Sequence, residues 1–451
     1  MRSTARRATG LGVTAVIALS ACSSGTKANS DSKTIKVAYV KFGNEIQVDA
    51  HMQKVKTAFE AAHPGTTVKL QPIAAAENDY YTKIDLLMGS ASTAPDVVYE
   101  DTFLINTDIK AGYLAPLDTY LGGWADWSQF PATAKTAARG ADGKTYGVPM
   151  GTDTRALWYN KTILAKAGIT LPWAPKNWQD VLDAATAVKK SSPDVIPLNV
   201  YSGKPAGEAS SMQGFEMLLY GTKSPLYDGT TSKWIAPSQG FTDSLNFIKT
   251  LYGTGLGPTP QQALDPNFPN VVSGQLLPQG KLAIDLDGSW VSGAWATGGS
   301  AAWPASTDTM ALAPMPTQDG SGKGSVSMSG GWTLAIGAKS GNHDLAAQFI
   351  ETALNKENST AYDIADSQIA VRGDVGADPA YLKGSPTIGF FTGLVPVTNY
   401  RPAFAAYAKV SDAIQVAMES VMTGQTSPAD ATKTYTDSLK AIVGDQNVSA
   451  G

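Results

Sequence analysis

The sequence predicts an α/β fold, on three observations. Strand-like runs alternate with helix-like ones along most of the chain, the pattern of α/β layers with mostly parallel sheets. Apolar residues make up 43% of the sequence and charged residues 16%, the balance of a globular protein. The length, 451 residues, is too great for one ordinary core, so two domains are expected.

The elements follow in order. Thr34-Ile35-Lys36-Val37-Ala38-Tyr39-Val40 alternates polar and apolar residues, as a half-buried strand does. A helix is expected through residues 48–62, and Thr67-Val68-Lys69-Leu70-Gln71-Pro72-Ile73 reads as a second strand. Pro95-Asp96-Val97-Val98-Tyr99 is a short apolar run bounded by turn formers, which predicts a buried strand. Asn177 is placed to cap a helix with Asp180 at its third position and Val181, Leu182, Ala185 and Val188 on one face. Further strands are expected at residues 282–286, at Met310–Ala313 and at residues 332–336. Asn342 precedes a helix with Leu345, Ala346, Phe349 and Ile350 on one face. Ser427-Pro428-Ala429-Asp430 combines a serine cap, a proline in the first turn and an acid near the amino end. No internal repeat of fixed period is present.

The amino-terminal region carries an address. Arg2, Arg6 and Arg7 precede an apolar stretch at residues 11–19, and Leu19-Ser20-Ala21-Cys22 follows, the layout of a secretory signal peptide over 1–21. The Leu-x-Ala-Cys ending resembles the lipobox of bacterial lipoproteins, which implies lipidation of Cys22 and a membrane-anchored protein outside the cytoplasm. Residues 22–33 then form a polar, small-residue tether. The apolar stretch is too short for a permanent span, and no later segment reaches the roughly 20 apolar residues one needs. Arg6-Arg7 leaves the export route open between general secretion and a twin-arginine signal.

Composition excludes several classes. Net charge is −4 and no basic stripe with interleaved aromatics occurs, so no nucleic-acid partner is expected. With one cysteine there is no intramolecular disulfide and no cysteine zinc site. His51, His63 and His343 are widely spaced and fit neither a metal-ligand spacing nor a nucleophile triad. Gly320-Ser321-Gly322-Lys323-Gly324-Ser325 lacks the first glycine of a phosphate loop, since Thr317 stands there, and reads as a surface turn. No cofactor and no metal site is expected.

Five blocks together resemble one family. They are Tyr39-Val40-Lys41-Phe42-Gly43-Asn44; Ala94-Pro95-Asp96-Val97-Val98-Tyr99-Glu100-Asp101 with Ala111-Gly112-Tyr113-Leu114-Ala115-Pro116-Leu117-Asp118; and Tyr146-Gly147-Val148-Pro149 with Asp153-Thr154 and Leu157-Trp158-Tyr159-Asn160-Lys161. Then come Gly280-Lys281-Leu282-Ala283-Ile284 with Asp287-Gly288-Ser289-Trp290, and Ser329-Gly330-Gly331-Trp332 with Ala346-Ala347-Gln348-Phe349-Ile350. In this order they are similar to the extracellular solute-binding proteins of sugar ABC importers, the maltose-binding-protein-like group. The resemblance implies a two-lobe, periplasmic-binding-protein-like fold with discontinuous lobes and a ligand cleft between them. Lobe 1 would hold residues 34–150 and 310–372, and lobe 2 residues 151–309 and 373–451. The chain would cross near 148–154, return around 310–330 and cross again near 371–375.

Sugar hydroxyls both donate and accept hydrogen bonds, and ring C–H faces are flat and apolar, so carboxylates, amides, Arg and aromatic faces suit them. Open α/β sheets bind ligands at the carboxyl ends of strands. That rule selects Glu100 and Asp101, Asn44, and Asp287 with Trp290. Asp153 lies in the first expected crossing and Trp332 beside the second. Tyr400 and Arg401 lie where the resemblance places second-lobe contacts. Trp158 and Trp178 read as core.

The function expected is a lipid-anchored extracellular receptor, monomeric, that captures a neutral carbohydrate and delivers it by hinge closure to an ABC permease with a separate ATPase. An oligosaccharide is the ligand expected. The alternatives are a secreted glycoside hydrolase using a carboxylate pair such as Asp101 and Asp287, or the same fold binding a non-sugar solute such as glycerol phosphate or a polyamine.

Overall fold

The computed structural model describes residues 33–43 and 45–451. The leader at 1–21, Cys22, the tether up to residue 32 and Asn44 lie outside the described residues.

Two sheets organise the chain. In the six-stranded sheet, Thr34–Lys41 pairs in parallel with Thr67–Ala74 on one side and Val97–Asp101 on the other. Trp332–Gly337 runs antiparallel to Val97–Asp101, and Leu114–Ala115 and Gly147–Pro149 pair with it in turn. The sheet is therefore mixed, where the alternation of elements predicts a mostly parallel one. Trp332–Gly337 arrives through a two-residue connection from Ser325–Ser329, a strand of a separate three-stranded sheet, without a helical crossover, and so enters reversed.

The four-stranded sheet runs in the order Met310–Ala313, Arg155–Asn160, Leu282–Gly288, Ile196–Asn199. Its second strand shows the strand period of two directly. Leu157 and Tyr159 point into a core with Val181, Phe215 and Leu245, while Ala156 and Trp158 point into another with Val291, Trp295 and Phe391. Trp178 is buried in the first of these, edge-on to Phe247 at 5.4 Å. A third core, with Val37, Val97, Leu334 and Phe349, serves the six-stranded sheet.

The segment 310–329 sits with the second sheet, and the expected boundary at residue 310 is corrected accordingly. Met310–Ala313 bonds antiparallel to residues 157–160, and Ser325–Ser329 pairs in parallel with Thr398–Tyr400. The chain rejoins the six-stranded sheet only at Trp332. Strand pairing on the open edge of Arg155–Asn160 decides this, and no local pattern in 310–313 names its partner.

Helix ends follow the capping chemistry. The Asn177 side chain accepts from the Asp180 amide at 2.9 Å, and Ser427 Oγ accepts from the Asp430 amide at 3.1 Å.

Three segments pass side by side between the sheets. Thr152 and Ile369 exchange backbone bonds of 3.0 and 2.7 Å, and Thr152 Oγ1 donates to the Gly330 carbonyl at 2.8 Å. The Gly330 amide donates to Asp153 Oδ1 at 2.9 Å. Glycine is required at this crossing. Gly331 has φ +150, and a Cβ there would lie 2.7 Å from the Gly151 carbonyl; a Cβ on Gly151 would lie 2.8 Å from that of Gln368.

A carboxylate-rich cleft between the two sheets

The cleft beside these crossings has a volume of about 700 Å³ and is lined from both sheets. A depression of similar size, about 690 Å³, lies elsewhere, between Thr222, Gln239 and Thr317. Six sequence-selected residues line the cleft together: Asp101, Asp153, Asp287, Trp290, Trp332 and Arg401. Volume does not separate the two hollows; the convergence of strand ends and aromatic faces does.

The aromatic walls come first. Trp332 opens its strand and stacks face to face on Tyr99, with ring centroids 4.5 Å apart and planes 1° apart. Tyr81 stacks beyond at 6.0 Å and Phe42 meets its edge at 6.1 Å. Trp290 stands on the opposite side, after the strand Leu282–Gly288. Its ring folds back over Gly288, where a Cβ would lie 1.8 Å from the indole, so only glycine permits this pose. The Arg155 guanidinium lies 4.7 Å from the Trp290 ring centroid, a cation–π contact. Arg155 is also bonded to Asp153 and to the Met328 carbonyl.

Asp101 and Arg401 were selected separately as ligand contacts; the fold pairs them with each other. Arg401 Nη2 donates to Asp101 Oδ1 at 2.7 Å and Nη1 to Glu208 Oε2 at 3.1 Å. Asp101 ends a strand of the six-stranded sheet, whereas Arg401 follows the strand Thr398–Tyr400, so the guanidinium ties the two sides of the cleft together. It also lies 4.3 Å from the Phe103 ring centroid. Tyr81 OH donates to Asp101 Oδ2 at 2.9 Å, and Ser411 donates to Glu208.

Two selected residues are not on the cleft lining. Glu100 precedes Asp101 by one position, so strand alternation turns it to the other face, where it is buried beside Asp108. Burial pushes its carboxyl well above the usual range, and Asp108 adds to this. Tyr400 is 60% exposed, with Ser329 as a hydrogen-bond partner and Asp153 near its hydroxyl. Asn44 lies outside the described residues.

Other cleft residues escaped the sequence reading. Glu45 and Glu77 follow the carboxyl ends of the first two strands, so the strand-end rule applied evenly would have named them. Burial pushes each up to about 8: Glu45 with Asp366, Asp287 and Glu77 adding repulsion, Glu77 with Asp101 and Glu208. Asp366 is pushed up to about 7 by burial, against bonds of 2.9 Å from both Tyr362 OH and Gln368 Nε2. Asp287 is pushed up to about 6 by burial, against its bonds from the Gly288 amide and, at 3.0 Å, Tyr201 OH. Near neutrality such carboxyls both donate and accept, which matches hydroxyl groups. Glu208 and Arg155 had no local signal beyond their proximity to glycine and to the crossing.

Residues 43–360 match the model of the bacterial extracellular solute-binding proteins. The chain belongs to this family. The galactooligosaccharide-binding protein of Bacillus subtilis is 24% identical over 436 residues, covering 95% of each chain. The GacH receptor of Streptomyces glaucescens, solved unliganded and with acarbose, is 25% identical with a TM-score of 0.77, covering 91% of this chain and 98% of that one. A solute-binding protein of Thermotoga lettingae bound to α-D-tagatose shares the fold at a TM-score of 0.78 and 23% identity, covering 92% and 100%. The fold is thus the two-lobe α/β architecture of sugar-binding proteins, and the family consists of binding proteins that serve transport. Among the described residues, no helix is long and apolar enough to cross a membrane.

Proposed function

We propose that this binding protein is a lipid-anchored receptor that captures a carbohydrate, an oligosaccharide foremost, and presents it to an ABC permease whose ATPase is a separate polypeptide. The observation that supports this most is the facing pair of aromatic walls, Trp332 on Tyr99 and Trp290 under Arg155, with carboxyls between them. Indoles suit ring C–H faces, and the carboxyls suit hydroxyls. The relatives named above, described as binding a galactooligosaccharide, acarbose and tagatose, support the same ligand class.

In this reading lobe 1 holds residues 34–150 and 332–368, and lobe 2 holds 155–329 and 373–451. The three crossings act as the hinge. Ligand favours the closed state only by the difference between its affinities for closed and open forms. A closed cleft removes water from both indoles and from the carboxyls at once. Hydrolysis is disfavoured, because Asp101 is committed to Arg401 and Tyr81 and is no free acid. Lipid on Cys22 would keep a monomeric receptor beside its permease.

A thermal-shift screen against a saccharide panel tests this reading. A stabilising saccharide recovered unaltered supports it. Release of shorter sugars, or stabilisation only by non-saccharides, contradicts it.

A further inference from the structure

The charge inside the cleft is unbalanced. Asp153 is paired with Arg155, and Asp101 and Glu208 share Arg401. The other two cationic side chains on the lining, Lys41 and Lys204, are held by Asp49 and Asp412, neither of which lines the cleft. Glu45, Glu77, Asp287 and Asp366 also line it, and among the described residues none has an ion pair. Asp287 and Asp366 are more than nine-tenths buried. Their hydrogen bonds come from neutral groups: Tyr201 and the Gly288 amide for one, Tyr362 and Gln368 for the other. Buried carboxylates are ordinarily paired or protonated, and here the one protein cation that acts on them, Arg155 on Asp287, is itself bound to Asp153.

We infer, resting on the reading of this cleft as a saccharide site, that its ligand is a basic saccharide whose protonated amine sits among Glu45, Asp287 and Asp366. This departs from the neutral sugar expected from sequence. Three features converge on it. The unpaired carboxylates lie on both sides of the crossings, so a single ammonium draws on both lobes. Trp290 already takes a guanidinium against its ring, and an indole face accepts a ligand cation as readily as a C–H face. The same negative surplus opposes a phosphate or other anionic ligand.

The inference has a proton signature. Burial pushes Glu45, Asp366 and Asp287 up to about 8, 7 and 6, with repulsion added from Asp366 and Asp287 at Glu45 and from Asp153 at the other two. The charged groups that face them are Glu77, Asp153, Asp285, Asp363 and Arg155, with the hydroxyls of Tyr201 and Tyr362 beside them; only Arg155 is cationic, and it is bound to Asp153. An ammonium placed among these carboxyls favours their ionised forms, so they release protons on binding. Affinity then rises with pH until the amine itself deprotonates. A neutral sugar gives no such release.

The test is calorimetry of the full protein at pH 7.5, in two buffers of different ionisation enthalpy. The probes are glucosamine oligomers of two to four units, their N-acetylated counterparts, matched glucose oligomers and spermidine. Glucosamine oligomers are expected to bind at least tenfold more tightly than either neutral series, with net proton release. Glu45→Gln and Asp366→Asn, with the free protein's melting temperature as a folding control, should each remove most of that preference, read as the ratio of glucosamine-oligomer to glucose-oligomer affinity in the same variant. Equal or tighter binding of a neutral series overturns the inference and leaves the saccharide reading standing. Binding of spermidine with no saccharide bound overturns both. Preference for the amine that survives both substitutions overturns the placement.

Discussion

Arg401→Met removes one cation and strands two buried carboxylates. The side chains of Arg401, Asp101 and Glu208 are 5%, 3% and 6% exposed, and the bonds are 2.7 and 3.1 Å. Methionine approximates the stem but brings no charge. Breaking a buried pair by removing one partner costs about 3–5 kcal/mol. Loss of the cation over Phe103 adds about 1 kcal/mol. The remaining donors, Tyr81 to Asp101 and Ser411 to Glu208, recover part of this. A net loss of about 3–5 kcal/mol follows, or a melting temperature lower by roughly 3–6 °C for a chain of this size. Chemical denaturation monitored by tryptophan fluorescence reads the loss. Arg401→Lys keeps the charge without the fork and should fall between. A double-mutant cycle with Asp101→Asn should show the two substitutions to be strongly non-additive. A loss under 1 kcal/mol for Arg401→Met, or additivity in the cycle, would refute the reasoning that this guanidinium ties the two sides of the cleft.

Trp290→Ala should weaken saccharide binding by about 1–3 kcal/mol with the fold retained, and Trp332→Ala by a similar amount with some added loss of stability from the Tyr99 stack; calorimetry and melting separate the two effects. Gly331→Ala places a Cβ 2.7 Å from the Gly151 carbonyl at φ +150, so ligand-induced compaction, measured by small-angle scattering, should shrink or vanish. Glu45, Glu77, Asp366 and Asp287 have folded pKa values raised to between about 6 and 8, above the unfolded carboxylate range. Below about pH 4 both states hold the protons and these groups cost nothing; stability is then lost as pH rises through the folded values. The ligand-free protein should therefore melt higher at pH 5 than at pH 8.5, with the slope reduced in Glu45→Gln. Cys22→Ala should move the protein from the membrane to the soluble fraction, read by immunoblot.

The strand-end rule was the strongest local guide to the site. It selects Asp101, Asp287 and Trp290, all on the cleft lining, because each follows a buried apolar run through residues that turn the chain. It could not choose between Glu100 and Asp101, since alternation says only that they face opposite ways and not which face meets the cleft. Arg401 and Asp101 are each selected by the sequence, but their pairing is not: 300 positions separate them, and nothing local announces the pair. Glu208 lies before an irregular helix and has no periodic pattern to mark it. The wrong boundary at residue 310 has the same origin. Met310–Ala313 reads correctly as a strand, yet the sheet it joins depends on the free edge of Arg155–Asn160. Capping signals, by contrast, are local, and Asn177 and Ser427 act as their spacing predicts.

The central claim is that a saccharide is held between the Trp290 and Trp332 walls. A crystal structure of the protein with its tightest-binding saccharide tests this most directly. The account predicts one sugar chain in the cleft, with a ring against each indole and polar groups on Asp287 and Asp366. Sugar seated instead in the depression between Thr222, Gln239 and Thr317, with the cleft free of it, would contradict the account.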